Sequence, residues 1–511
     1  MVIFRPRDVH TQTEYRLRQN RFFAEVAPVL LLTVLAFAVM GYHPGYEDDG
    51  VYLTAVQSDL HPALYSHDAV FFKLQMQASA FDNAMAEFVR LTHVPVAWAE
   101  LLGQLLAIFL ILWACHSLAK RFFELPEVRW AGVAMVAAML TLPVAGTAIY
   151  IADQHLHPRN FATALVLLAV DRILAGKLWH VLPLLAAAFA MHPMMAAFGF
   201  SFCFCLALAL MDPVHVWLRD MRAIFARGAA LALPLGWVLD SSSPAWRKAA
   251  ETRTYYFLYK WTWYEWLGAV APLFLFWLLW RGAEKRGATL LARFALAVLA
   301  YAVFQQLVAF AMLTPPSFLR LVSLQPMRYL QLIYLFLALM AGCLAGLFLL
   351  KRRIWRWAVF LAIMNGGMLA AQEVQFPDCP HFEMPWTRPE NPWLQAFAWI
   401  RQNTPRDAYF ALDPNYLAAP GEDYHSFRAL AERSQLADGI KDAAVVVLVP
   451  ALADEWNREV EAEAGWAQFK QGDFERLKNE FGVDWVLVNS SQHLGLDCRW
   501  RNRMLSVCRI P

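Results

Sequence analysis

The stretch AEVAPVLLLTVLAFAVMGYHPGYEDDGVYL, residues 24–53, decides the fold class of this chain. Its first twenty residues form an apolar segment that is long enough to cross a bilayer as a helix. The next ten residues place three acids, Glu47, Asp48 and Asp49, just beyond the end of that segment. Carboxylates at a membrane surface indicate either chemistry or cation binding.

The composition of the whole chain is that of a polytopic membrane protein. Hydrophobic residues make up 59% of its 511 residues and charged residues only 17%, which is too apolar for an ordinary soluble enzyme. The basic residues are scattered between apolar segments, so the net charge of +2 gives no indication of nucleic-acid binding.

Apolar length and flanking charge predict a membrane all-α bundle of about eleven spans. Two of the segments, 178–190 and 229–240, are too short to cross a core of ~30 Å upright, so one of them could be re-entrant. The spans are placed at residues 24–43, 94–118, 130–150, 160–176, 178–190, 194–211, 229–240, 264–280, 289–313, 329–350 and 357–373.

The distribution of basic residues predicts the topology of this bundle. Five arginines precede the first span against two acids, which predicts a cytoplasmic N-terminus, and the basic turns further along agree with it. Residues 1–373 then form the membrane domain. Its acidic first outer loop, 44–93, and the segments 151–159, 241–263 and 314–328 lie on the extracytoplasmic side.

The tail, residues 374–511, is predicted to be a small extracytoplasmic α/β domain, because its apolar runs are short and broken by turn residues and charges. Strands are expected at Ala408–Leu412, Ala443–Val449 and Val483–Val488, and helices at 392–403, 453–463 and 473–481. Cys498 and Cys508 bracket a turn between two possible strands in this exported tail, so we expect a hairpin disulfide that leaves Cys379 free.

This order of features resembles the GT-C superfamily of membrane glycosyltransferases. The resemblance lies in the positively flanked first helix, the outer loop that opens with Glu47-Asp48-Asp49 and Tyr52, the many helices, and the soluble C-terminal domain. It implies a bacterial-type member in the inner membrane, a polyprenyl-phosphate-linked sugar donor, and an essential acid in the first outer loop. Membrane lipids are implied as partners, together with a glycan, lipid or protein acceptor.

Members of that superfamily often carry a second acidic motif in the next outer loop. Here that loop reads Asp153-Gln154-His155-Leu156-His157-Pro158-Arg159, with histidines where metal-dependent members usually show a further acid. Asp49, Asp153 and His155 could together ligate a divalent ion such as Mn²⁺ or Mg²⁺, and imidazole suits Mn²⁺ or Zn²⁺ better than Mg²⁺. The alternative is an aqueous loop with helix-capping residues.

The acidic tract supplies the candidate catalytic base. Three adjacent acids at the mouth of an apolar bundle repel one another, which raises at least one pKa and suits proton abstraction. We expect Asp49 to be the base, with Asp48 and Glu47 as the other candidates. The alternative is a solvated turn in which Asp49 caps a helix that starts near Val51. Glu100 and Gln104, near the outer end of the second span, could face the same cavity or hydrogen-bond between helices.

Arg320 and Arg328 are the candidate ligands of the donor phosphate, because arginine binds phosphate through two hydrogen bonds at once. Both lie in the segment before the 329–350 span, and snorkelling at the interface is the alternative, more so for Arg320.

Three functions remain open at this stage. The first is hexosyl or pentosyl transfer from the lipid-linked donor to an acceptor on the extracytoplasmic face. The second is transport or flipping of a lipid-linked or anionic substrate, and the third is a non-catalytic membrane protein. Acids and arginines confined to one face favour the transferase, because transporters usually carry ionisable groups near the midplane.

Overall fold

Apolar helices form most of the chain before residue 376. The computed structural model describes residues 9–211, 242–314, 316–492 and 495–511. Within these ranges, six helical segments are long and apolar enough to cross a membrane, as expected of an integral multi-pass membrane protein. They are Val96–Phe122, Pro193–Leu210, Trp263–Lys285, Thr289–Leu313, Phe318–Leu350 and Ile354–Gln375.

We number the α-helices of this part in chain order. They are α1 (Val9–Met40), α2 (Asp49–Leu60), α3 (Val70–Met76), α4 (Phe81–Thr92), α5 (Val96–Phe122), α6 (Pro126–Ala138), α7 (Pro158–Leu174), α8 (Val181–Met191), α9 (Pro193–Leu210), α10 (Pro244–Glu251), α11 (Trp263–Lys285), α12 (Thr289–Leu313), α13 (Leu330–Ala345) and α14 (Ile354–Gln375). Two 3₁₀ segments, Pro316–Leu324 and Pro326–Tyr329, lead into α13.

The expected count of eleven spans is not confirmed. The predicted span 229–240 lies outside the described residues. The predicted span 130–150 is wrong as one helix, because α6 ends at Ala138 and a short hairpin follows, in which β1 (Pro143–Val144) pairs with β2 (Ile149–Tyr150). Pro143 has no N–H for a helix, and Gly146 adopts a φ of +63° that favours glycine, so the sequence turns there.

The C-terminal domain, which follows α14, is a mixed α/β unit. Its helices are α15 (Pro392–Asn403), α16 (Phe427–Ala431), α17 (Lys441–Leu448), α18 (Ala453–Ala462) and α19 (Gln471–Phe481). Its strands are β3 (Tyr409–Ala411), β4 (Ser434–Gln435), β5 (Trp485–Asn489), β6 (Asp497–Arg501) and β7 (Leu505–Arg509). They form one sheet in the order β4-β3-β5-β7-β6, parallel from β4 to β5 and antiparallel beyond.

Two of the three predicted strands and all three predicted helices of this domain are present, but the predicted strand Ala443–Val449 is wrong. That segment is helix α17. Its valines favour a strand, yet the Asp438 carboxylate accepts hydrogen bonds from the N–H groups of Ile440 at 2.8 Å and Asp442 at 3.3 Å. A side chain that satisfies the first N–H groups starts a helix, and this local cap overrides the strand propensity.

The C-terminal domain packs directly on the first loop of the membrane domain. Arg428 of α16 forms an ion pair with Asp68 of that loop and a two-hydrogen-bond pair with Asp442 of α17, at 2.7 and 2.9 Å. The Gln57 amide of α2 donates to the Ala429 carbonyl at 2.9 Å. These buried contacts fix α17, and with it Lys441, beside the acidic tract.

Candidate active site

A cavity of about 630 Å³ lies where the acidic tract, the β1–β2 hairpin, the 151–157 loop and α17 meet. We call it the polar cavity, because charged side chains from both domains line it. Those side chains are Glu47, Asp48, Asp153, Arg159, Arg253, Glu265, Arg328 and Lys441, and five tyrosines, Tyr46, Tyr150, Tyr255, Tyr264 and Tyr334, complete much of the wall.

A second cavity, of about 340 Å³, adjoins the first one. We call it the apolar cavity, because aliphatic and thioether side chains form much of its lining, among them Val51, Leu74, Met76, Met191, Met194, Val445, Leu448 and Val449. Asp48, Tyr255, Arg328, Lys441 and Ala444 line both cavities. A carboxylate and two cations therefore stand at the boundary between a polar and an apolar space.

Asp48 is held at this boundary by two partners. Its Oδ2 lies 3.4 Å from Nε2 of His157, and its Oδ1 accepts from the Lys441 ammonium at 3.2 Å. The Arg159 backbone N–H donates to Nδ1 of His157 at 2.9 Å, so the ring proton lies on Nε2 and points at Asp48. Burial lowers the pKa of His157 to about 4, which keeps the ring neutral.

The charges around Asp48 set its protonation. Burial by itself would raise the pKa of this carboxyl, but the hydrogen bond from His157 and the positive charges of Arg159 and Arg328 lower it well below its usual range. Asp48 is therefore ionised, with 39% of its side chain exposed. Glu47 also lines the polar cavity, where its carboxylate is paired with Lys441.

Asp49, the acid expected to be the base, lies behind the cavity wall. It is 1% exposed, lines neither cavity, and its Oδ2 accepts from the backbone N–H of Gly45 at 2.9 Å. Burial raises the pKa of Asp49, and the neighbouring carboxyl is that of Glu100. A buried carboxyl of raised pKa beside a second carboxyl suits a structural role in the wall.

In the second outer loop, Asp153 is engaged in an ion pair with Arg159 and is not free to ligate a metal ion. Arg159 donates to both oxygens of Asp153, at 3.2 and 2.5 Å, and Gln104 of α5 donates to the Asp153 carbonyl at 2.6 Å. His155 lines the polar cavity, and neither of its ring nitrogens has a hydrogen-bond partner among the described residues.

These contacts decide how well a metal ion fits the three predicted ligands. His155 offers two unpartnered ring nitrogens, but Oδ2 of Asp49 accepts from the Gly45 N–H and both oxygens of Asp153 are occupied by Arg159. Across the described ranges, the group of three histidine, cysteine or acidic residues whose ligand atoms lie within 4.8 Å of one another is a different one, His43, Glu383 and His425. An ion at Asp49, Asp153 and His155 stays a prediction that requires Asp153 to leave Arg159.

Two arginines, Arg253 and Arg328, line the polar cavity. Nε of Arg328, and Nε and Nη2 of Arg253, are buried, and neither guanidinium makes a hydrogen bond or ion pair with a described residue. Arg328 is where the sequence predicted a phosphate ligand, whereas Arg320 lines neither cavity. Sequence analysis missed Arg253, although it lies in the predicted outer segment 241–263.

Comparisons with known proteins assign no family to this chain. No family model matches it, and no curated protein does. Among solved structures, the Archaeoglobus fulgidus oligosaccharyltransferase is similar in its apo form, with 10% identity, a TM-score of 0.47, and coverage of 91% of this chain and 69% of that one.

Two further structures of that enzyme show a comparable similarity. Its complex with Zn and sulfate has 11% identity, a TM-score of 0.47, and coverage of 91% and 67%. The enzyme, AglB, in complex with an inhibitory peptide and a dolichol-phosphate has 12% identity, a TM-score of 0.38, and coverage of 92% and 70%. A similarity of this size does not establish a shared function.

Proposed function

We propose that the protein is a membrane glycosyltransferase that moves a sugar from a polyprenyl-phosphate-linked donor to a hydroxyl-bearing acceptor on the extracytoplasmic face. The observation that carries this proposal is the pair Arg253 and Arg328, which face one cavity without a carboxylate partner among the described residues. A buried guanidinium is costly unless an anion pairs with it, and phosphate matches its forked geometry.

The two adjoining cavities fit the two chemical halves of such a donor. Arg328 lines both, so a phosphate beside it would lie at their boundary. The apolar cavity, with Leu74, Met191 and Met194 in its wall, suits the first isoprenoid units of the carrier. The sugar would then occupy the polar cavity, where tyrosine rings offer apolar faces and hydroxyl partners.

Asp48 is the base in this proposal. An acceptor hydroxyl attacks the anomeric carbon, its proton passes to Asp48, and the bond from that carbon to the phosphate oxygen breaks, so that polyprenyl phosphate leaves with the electron pair. Arg253 and Arg328 offset the charge that develops on the leaving phosphate. His157 positions Asp48 through the hydrogen bond from its Nε2.

The low pKa of the free Asp48 is compatible with this role. Part of the lowering comes from the charge of Arg328, and the single negative charge of a bound donor phosphodiester would partly offset that charge. The pKa of Asp48 would rise on donor binding, so the carboxylate becomes a better base only when the donor is in place. A divalent ion held by Asp49, Asp153 and His155 would supply further positive charge for the departing phosphate.

The proposal is tested without knowing the sugar, because polyprenyl phosphate is the common product. Purified protein in detergent should bind polyprenyl phosphate and not the uncharged polyprenol, and Arg253→Gln should weaken that binding. Arg320→Gln is the matched control, since Arg320 lines neither cavity. Equal binding of phosphate and alcohol would contradict the proposal. Vectorial uptake in vesicles without a covalent product would instead support transport.

A further inference from the structure

We infer that His43, Glu383 and His425 form a binding site for a divalent transition-metal ion of the Zn²⁺ class, separate from both cavities. Oε2 of Glu383 lies 3.1 Å from Nδ1 of His43 and 2.7 Å from Nε2 of His425. The ligand atoms of all three residues lie within 4.8 Å of one another. None of the three lines the polar or the apolar cavity.

The donor set selects the class of ion. Two imidazole nitrogens and one carboxylate oxygen suit Zn²⁺, Co²⁺ or Ni²⁺, whereas Mg²⁺ and Ca²⁺ prefer oxygen ligands only. A tetrahedral ion would take a fourth ligand from water or from Cys379. That cysteine is a free thiol whose electrostatic neighbours include Glu383 and Asp423, so it lies close to the site.

Burial argues that the cluster is a built site. His43 and His425 are 0% and 1% exposed, and the Glu383 side chain is 10% exposed. Oε1 of Glu383 is buried without a hydrogen-bond partner among the described residues, and so is the second ring nitrogen of each histidine. Buried polar atoms are rarely left unpartnered in folded proteins. A metal ion would use the free lone pair of Glu383.

The position of the cluster points to a structural role. His43 comes just after α1, Glu383 lies between α14 and the C-terminal domain, and His425 belongs to that domain. Backbone pairing already brings these segments together, since Tyr42 pairs with Phe382 and Tyr46 with His425. An ion here would join the first helix, the linker and the C-terminal domain immediately behind the acidic tract.

Metal content and thermal stability test the site independently of any transferase activity. The full-length protein is purified in detergent, stripped with EDTA, dialysed and reloaded with zinc sulfate, and bound zinc is measured by mass spectrometry. We expect about one tightly held ion per chain. We also expect zinc to raise the melting temperature of the wild type, because a ligand that binds only the folded state stabilises it.

Glu383→Gln keeps the size of the side chain and removes the charged ligand, so it should lose the ion and the zinc-dependent rise in melting temperature. His67→Asn is the matched control and should keep both, because His67 belongs neither to the cluster nor to the lining of either cavity. If Glu383→Gln does not fold, the stripped wild type is reloaded with Co²⁺ instead. The absorption spectrum of the bound Co²⁺ then reports whether nitrogen and oxygen atoms ligate the ion. A wild type that binds no zinc would overturn the inference. Loss of zinc in His155→Asn with retention in Glu383→Gln would also overturn it, because the ion would then lie in the polar cavity.

Discussion

Replacing Arg328 by lysine separates the geometry of the proposed phosphate site from its charge. Arg328 is 9% exposed, stands on the wall shared by both cavities, and has a buried Nε with no partner among the described residues. Lysine keeps the positive charge, so the low pKa of Asp48 should persist. An ammonium, however, cannot reproduce the forked pair of hydrogen bonds that a guanidinium makes with phosphate.

The expected loss of catalytic efficiency in Arg328→Lys follows from one missing hydrogen bond to the donor phosphate. A hydrogen bond to a charged group contributes about 1.5–3 kcal/mol. We therefore expect Arg328→Lys to lower kcat/KM for the donor roughly ten- to a hundredfold. Turnover is measured in detergent at limiting donor, as release of polyprenyl phosphate, and binding of polyprenyl phosphate should weaken by a similar factor.

Arg320→Lys is the control for this measurement, because Arg320 lies in the preceding 3₁₀ segment, Pro316–Leu324, and lines neither cavity. It should match the wild type. The reasoning is refuted if Arg328→Lys matches the wild type at limiting donor, or if the two lysine variants lose activity equally.

Three further predictions follow from particular contacts. Asp48→Asn should lower turnover by roughly 10²- to 10⁴-fold while it retains binding of polyprenyl phosphate. Asp49→Asn should lower turnover much less. If a product assay shows the reverse order, Asp49 and not Asp48 is the base. Cys498 and Cys508, which are bonded between β6 and β7, should both resist alkylation without reduction, and recovery of two alkylated thiols by mass spectrometry would contradict the bond. Burial raises the pKa of Glu459 to about 7, so between about pH 5 and pH 7 the folded domain binds one more proton than the unfolded chain. The free energy of unfolding should therefore fall by up to about 3 kcal/mol as the pH rises from about 5 to about 8. Glu459→Gln should flatten that dependence in thermal melts, and an unchanged slope would contradict it.

The sequence predicted the parts of the site that depend on local pattern. Apolar length located most helices, and the polar break before α13 indicated Arg328 as a cavity residue. The pairing of Cys498 with Cys508 followed from their spacing within an expected hairpin. Each of these inferences needs only a short stretch of chain.

Which acid of the tract faces the cavity could not be predicted in the same way. The chain turns at Glu47, whose φ is +50°, and helix α2 begins at Asp49 rather than near Val51. The carboxylate of Asp49 then folds back onto the Gly45 N–H, which leaves Asp48 at the cavity. A shift of two residues in a helix start decides this, and local sequence fixes helix ends poorly.

Long-range packing supplied the remaining site residues. Lys441 enters the cavity only because Asp438 caps α17 and Arg428 holds that helix against the first loop. The cap is local, but the ion pair between Arg428 and Asp68 joins residues 360 positions apart, and no periodic pattern in the sequence reveals it.

The contribution of Lys441 from the C-terminal domain has a consequence for the order of synthesis. Both cavities are lined by membrane-domain residues and by α17, and ribosomes make α17 after every membrane helix described here. A nascent chain whose helices have already entered the bilayer thus still lacks part of the cavity wall. Under the proposed function, such a chain would meet the lipid-linked donor before it could transfer the sugar. The proposed activity would therefore begin only after the C-terminal domain has been synthesised and has docked on the membrane domain.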